Sequence, residues 1–179
     1  MWFALGNFIT SYLYTPNSQF SNHNLLPLFN IRVYGILIDE NKRVLISDEF
    51  IRGMYITKFP GGGLEFGEGT RDCLRREFKE ETNLEVTIGN HIYTTDFYQI
   101  SAFNNTHQII SIYYFVQPNE PFILETKTKL FDFSPQQTAD PKGEAEVFRW
   151  VNWEDFGEDA MTLPIDKIVA KMIKENYLK

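Results

Sequence analysis

Residues 59–86, FPGGGLEFGEGTRDCLRREFKEETNLEV, constrain the fold more than any other stretch of the chain. Pro60 and Gly61, Gly62 and Gly63 stop the strand-like run MYITKF, and Gly67 and Gly69 extend the interruption. Two glycines suffice for a turn from strand to helix. Five allow a backbone with positive φ that comes close to a ligand. The spacing then predicts a helix from Thr70 to about Thr82, with Thr70 as its N-cap and Asp72 complementing its positive end. Asn83 takes the left-handed stop position that glycine more often fills.

That helix carries Glu77, Glu80 and Glu81. With Glu77 at zero, Glu81 lies at about +40° and Glu80 at about −60°, so the three share an arc of about 100°. Arg76 is the i, i+4 partner of Glu80, whereas Arg75 and Lys79 point away from Glu77 and Glu81. Leu74 and Phe78 place an apolar stripe beside Glu81, so the acids border the core. Taken alone, RREFKEET reads as a solvated, charge-laced surface helix. The glycine loop in front of it, with Glu65 and Glu68, favours a cation site instead, because Mg²⁺ takes carboxylate oxygens and leaves positions for water and phosphate. A phosphate-cradling P-loop is excluded, since its Lys followed by Ser or Thr at the helix start is missing.

Around this centre, IRVYGILID and RVLIS, joined by DENK, read as a hairpin, and MYITKF as a third strand. LEVTI, IYTTDFYQIS and HQIISIYYFVQ follow as strands, with AFNNT as the turn between the last two. Residues 118–143 read as irregular, VFRWV as a last strand, and LPIDKIVAKMIKENYL as a terminal helix with Pro164 in its first turn. Strands that look mixed, with helices set apart, make an α+β or an α/β/α arrangement, a mixed β-sheet between helices. Residues 1–29, without sustained periodicity, read as an N-terminal extension, and 30–179 as one domain.

The formal net charge of −7, with no basic stripe, argues against a polymeric nucleic-acid partner but leaves a small phosphorylated ligand open if metal ions balance the charge. Cys73 is the only cysteine, which points to a reducing, cytoplasmic compartment, and it reads as a packing residue rather than a nucleophile. The apolar start has no Lys or Arg before Arg32, which argues against a signal peptide or a membrane partner. His23, His91 and His107 share no metal-ligand spacing.

Gly62, Glu68, Arg76, Glu77, Glu80 and Glu81, with Phe78 and Leu84 at the bulky apolar positions, stand in the spacing G-x5-E-x7-R-E-U-x-E-E-x-G-U. The chain thereby resembles the Nudix hydrolases of the MutT type. Asn83 is the single departure, at the final glycine, and it is tolerated at a left-handed helix end. KFPGG before the box and RWVNWEDF near the end resemble the family's entry and its closing strand with a short helix.

The resemblance implies hydrolysis of a nucleoside diphosphate linked to another group, with Mg²⁺ or Mn²⁺, by water attack at phosphorus. It makes Glu77, Glu80 and Glu81 metal ligands with the Gly61 carbonyl, Arg76 the residue that orients the glutamates, and Gly62 and Glu68 supports of the loop. The proton acceptor stays open among Glu77, Glu80, and Glu144 or Glu146 on a loop that can swing in. Arg52 and Lys58, with Arg32, are candidates for phosphate contact, and Tyr98, with Tyr93 and Phe97, for stacking on a base. No proline occurs between Pro60 and Pro118, so the ADP-ribose signal is missing, and the upstream coenzyme A pattern is not recognisable. The substrate stays open among nucleoside triphosphates, dinucleoside polyphosphates and nucleotide sugars. The competing reading is a non-catalytic Nudix-fold nucleotide sensor or interaction module, and the aromatic extension can serve a homodimer surface.

Overall fold

The computed structural model describes residues 28–177. Seven strands form two sheets: β1 (Leu28–Leu37), β2 (Arg43–Ile51), β3 (Met54–Lys58), β4 (Gly61–Gly63), β5 (Val86–Thr94), β6 (His107–Pro118) and β7 (Glu144–Asn152). The larger sheet has the order β4-β1-β6-β5, with β1 and β6 parallel and the other pairs antiparallel; the smaller is antiparallel, β3-β2-β7. Two helices complete the fold, α1 (Thr70–Thr82) and α2 (Pro164–Asn176).

Alternation along β1 explains the layers. Val33 and Leu37 belong to one core with Leu74 and Phe78 of α1, whereas Tyr34 and Ile36 belong to a second core with Ile165, Val169 and Ile173 of α2. Both helices therefore bury their apolar faces, one on each side, as the mixed α+β sandwich requires. Phe78 is fully buried and packs where a Cβ on Gly35 would stand, 2.5 Å from its ring. Truncating such a side chain costs about 3–5 kcal/mol.

Several expectations change. The predicted β1–β2 hairpin holds only at its base, where Asp39 and Arg43 bond through the backbone and Ile38 bridges Val44; beyond that the strands diverge into different sheets. LEVTI and the start of IYTTDFYQIS form one strand, β5, with register shifts between Ile88 and Tyr93, and Ile100 makes only an isolated bridge to Gln108. Strands β2 and β7 run further into acidic sequence than their apolar cores suggest, Arg43–Ile51 pairing fully with Glu144–Asn152. The short helix expected within RWVNWEDF is only a turn at residues 153–155, and a single 3₁₀ turn follows it at Glu158–Ala160. The extension reading of residues 1–29 falls almost entirely outside the described residues.

Candidate metal centre

The glycine cradle is built by close approach. Gly61 has φ 128°, and a Cβ there would lie 2.2 Å from the Val33 carbonyl oxygen, so β4 fits against β1 only with glycine at this position. At Gly62 a Cβ would lie 2.5 Å from the carboxylate of Glu77. The missing side chain leaves the space in which that carboxylate rests.

Helix α1 then presents the acids. Its N-cap is Gly69, not Thr70: no side chain caps the end, and the Thr70 hydroxyl bonds the Tyr114 hydroxyl at 2.9 Å. The end is as expected, with Asn83 left-handed at φ 57° and its N–H donating to the Lys79 carbonyl. Arg75 pairs with Asp72 and Lys79 with Glu85, so neither relieves the acids.

Arg76 relieves more than its i, i+4 neighbour. Its Nη1 donates to Glu77 at 2.9 Å and to Glu80 at 3.1 Å, its Nη2 to the Gly63 carbonyl at 3.0 Å, and Nη2 with Nε forks onto Glu68. Those bonds hold the Glu68 carboxyl down at about 2, Arg76 being the foremost cause. The neighbouring Cys73 is buried and its thiol is pushed up to about 12, first by burial, so it carries no nucleophile.

Glu81 is treated differently. Its Oε2 is buried without a hydrogen-bond partner, the single such side-chain atom among the described residues. Burial raises its carboxyl to about 8; Lys58 counters this, while Glu146, Glu77 and Glu49 add to it. A buried, unpaired carboxylate is costly unless something cationic or a proton satisfies it.

Lys58 and Glu146 complete the cluster. Lys58 is 2% exposed, not a surface charge: its Nζ donates to the Gly61 carbonyl at 2.8 Å and pairs with Glu49 at 2.9 Å, with Glu146 at 3.8 Å. Glu144 and Glu146 lie on β7 rather than on a mobile loop. Glu146 also accepts from the Ser47 hydroxyl, and burial raises its carboxyl, whereas Glu144 is exposed at the strand end.

Among the described residues no three His, Cys, Asp or Glu side chains converge into a ready coordination sphere. Arg76 draws Glu77 and Glu80 to one side, and Lys58 draws Glu49 and Glu146 to the other. The donor set still fits a hard divalent cation: every donor is oxygen, and the buried Glu81 oxygen has no hydrogen-bond partner of its own.

Beside the acids opens a cleft of about 330 Å³, lined in part by Arg32, Tyr34, Glu49, Arg52, Lys58 and Asp166. Arg52 and Glu144 reach this wall; Tyr98, 70% exposed, is not part of it, and neither are Tyr93 and Phe97. Residues 99–103 line it instead. Asp166, which sequence reasoning missed, accepts from the Tyr113 hydroxyl at 2.9 Å, and burial raises its carboxyl to about 7. Glu49 was missed as well. The signal available for it was the continuing alternation of SDEFI, with Ser47, Glu49 and Ile51 on one face and Asp48 on the other. Asp48 is bound there by Arg149 and Thr57.

Two sheets between helices, a glycine cradle and an acid-bearing helix gripped by one arginine are the fold and the local geometry in which the Gly62-to-Leu84 spacing is set. The model of the NUDIX domain matches residues 28–173, and the chain belongs to the Nudix family. It is 30% identical over 129 residues to Nudix hydrolase 2 of Arabidopsis thaliana, covering 70% of this chain and 40% of that one. To Nudix hydrolase 10 of the same plant it is 26% identical over 132 residues, covering 74% of this chain and again 40% of the relative. The chain thus spans well under half the length of these two proteins. The crystal structure of a MutT protein from Methanosarcina mazei Go1 superposes with a TM-score of 0.57 at 17% identity, over 87% of this chain and 99% of that one, a likeness of fold.

Proposed function

We propose that the chain hydrolyses the pyrophosphate linkage of a nucleoside diphosphate joined to a further group, with Mg²⁺ or Mn²⁺ held by Glu77, Glu80 and Glu81. The orphaned Glu81 oxygen carries this reading: a buried acceptor facing other acids calls for a cation. When bound, divalent cations neutralise phosphate oxygens and acidify water.

The chain's own residues supply the rest. Arg76 holds Glu77 and Glu80 at fixed spacing while Glu68 anchors Arg76 to the loop. Glu146, whose carboxyl burial raises, is the residue we assign to take the proton from the attacking water. Arg52, on the cleft wall, is the candidate for substrate phosphate, since the Lys58 ammonium is engaged by Gly61 and Glu49. The cleft volume suits a base with its ribose rather than a polymer. A cytoplasmic setting accords with the unpaired, buried Cys73.

The test is a panel of nucleoside-diphosphate compounds with Mg²⁺ in ¹⁸O-labelled water, read by mass spectrometry. One labelled phosphate-containing product per turnover from at least one compound is expected. No product from any nucleoside triphosphate, dinucleoside polyphosphate or nucleotide sugar would reject the assignment.

A further inference from the structure

Strands β2 and β7 set Glu49 directly opposite Glu146. Like charges so placed destabilise a sheet pair, and here both are largely shielded from solvent, their side chains 14% and 23% exposed. What makes the pairing tenable comes from the third strand. Lys58 of β3 lies across from Ser47, so its side chain emerges on the same face as Ser47, Glu49 and Glu146.

An ammonium has three protons and no acceptor. The nearest acceptors around Lys58 Nζ are the Gly61 carbonyl at 2.8 Å, Glu49 at 2.9 Å and Glu146 at 3.8 Å, and the Tyr34 ring centroid lies 5.6 Å away. Contacts from β1, β2, β4 and β7 thus enclose one charge. Two carboxylates and a carbonyl oxygen converge on this nitrogen, an acceptor set that suits an ammonium, which is donor-only. Its position differs from that of a phosphate-binding lysine, which keeps protons free for its ligand.

We propose that Lys58 is a built-in cation of the acid cluster, filling the place between the Gly61 carbonyl, Glu49 and Glu146 and confining divalent cations to the Glu77, Glu80 and Glu81 side. This rests on the reading of those glutamates as a metal site. It goes beyond that reading in assigning the carbonyl and the second acid group to the protein's own charge. Lys58 is on this view a positioning residue: it fixes the glycine turn and limits how many metal ions the cluster takes.

The experiment is a Mn²⁺ titration followed by the electron paramagnetic resonance signal of the free ion, on wild type and Lys58→Met. The variant is expected to bind one more Mn²⁺ per chain, or the same number at least tenfold more tightly. Equal number and affinity in the two proteins would overturn the role of Lys58 while leaving the metal site standing. Uptake by neither protein would remove the metal site, and this inference with it. If Lys58→Met does not fold, Glu49→Gln with Lys58→Met is compared with Glu49→Gln alone, with the same expectation of tighter binding. A further check uses only wild type with ¹⁵N-labelled lysine: a slowly exchanging Lys58 ammonium resonance retained at saturating Mg²⁺ supports the inference, and its loss contradicts it.

Discussion

Arg76 and Glu68 meet through two roughly parallel bonds, Nη2 to Oε1 at 2.7 Å and Nε to Oε2 at 3.1 Å, which tie the middle of α1 to the glycine loop. A fork of this kind fixes orientation as well as distance. Because the same guanidinium holds Glu77 and Glu80, one residue sets the spacing of the loop and of two acids. Arg76→Lys, which keeps the charge but not the fork, is expected to lower kcat/KM by at least about tenfold, and Arg76→Ala by about 10² or more. The Glu68 carboxyl lies lower in the folded chain than unfolded. Its stabilising effect is therefore complete above the unfolded value of 4.5 and lost as pH falls toward about 2. Denaturant titrations from pH 5 to pH 2 should show a shallower acid loss in Glu68→Gln than in wild type.

The two glycines should separate stability from activity. Gly61→Ala drives a Cβ into the Val33 carbonyl at a backbone angle that alanine resists, and a loss of more than about 3 kcal/mol is expected by chemical denaturation. Gly62→Ala meets only the flexible end of Glu77. It should keep most of its stability while turnover falls at least about tenfold, because the carboxylate is displaced.

Glu144 and Glu146 give a direct comparison on one strand. Glu146→Gln removes a buried acid beside Lys58 and Ser47 and should lower kcat by about 10²-fold. Glu144→Gln changes an exposed carboxylate and should leave kcat within about twofold. The reverse order in steady-state kinetics would move the proton acceptor to Glu144.

Asp166 supplies a pH signature of opposite sign to Glu68. Burial raises its folded value to about 7 from 3.8, so its contribution is full below about pH 4 and is lost as pH rises through about 7. Asp166→Asn should remove this dependence and gain on the order of 3 kcal/mol at pH 8 relative to pH 4, compared with wild type. Paired unfolding curves at the two pH values measure it.

How far these features could be read in advance depended on whether their causes were local. Helix α1, its end at Asn83 and its acid arc follow from spacing within some twenty residues, and they stand as expected. The N-cap did not, because Tyr114 of β6 takes the Thr70 hydroxyl. The acidic ends of β2 and β7 looked like loop because their counter-charges come from elsewhere: Lys58 reaches Glu49 and Glu146, and Arg149 reaches Asp48. The DENK turn was visible, but nothing local to it says that the strands it joins enter different sheets. Asp166 reads as an ordinary first-turn acid of α2 until Tyr113, more than fifty residues away, encloses it.

The most direct measurement is calorimetric titration of Mg²⁺ or Mn²⁺ into wild type and Glu81→Gln at neutral pH. Saturable binding below a few millimolar in wild type is expected, weakened at least about tenfold in a variant whose unfolding curve is unchanged. Wild type without saturable binding, or a Glu81→Gln protein that binds as wild type does, would contradict the assignment of the α1 glutamates as the metal site.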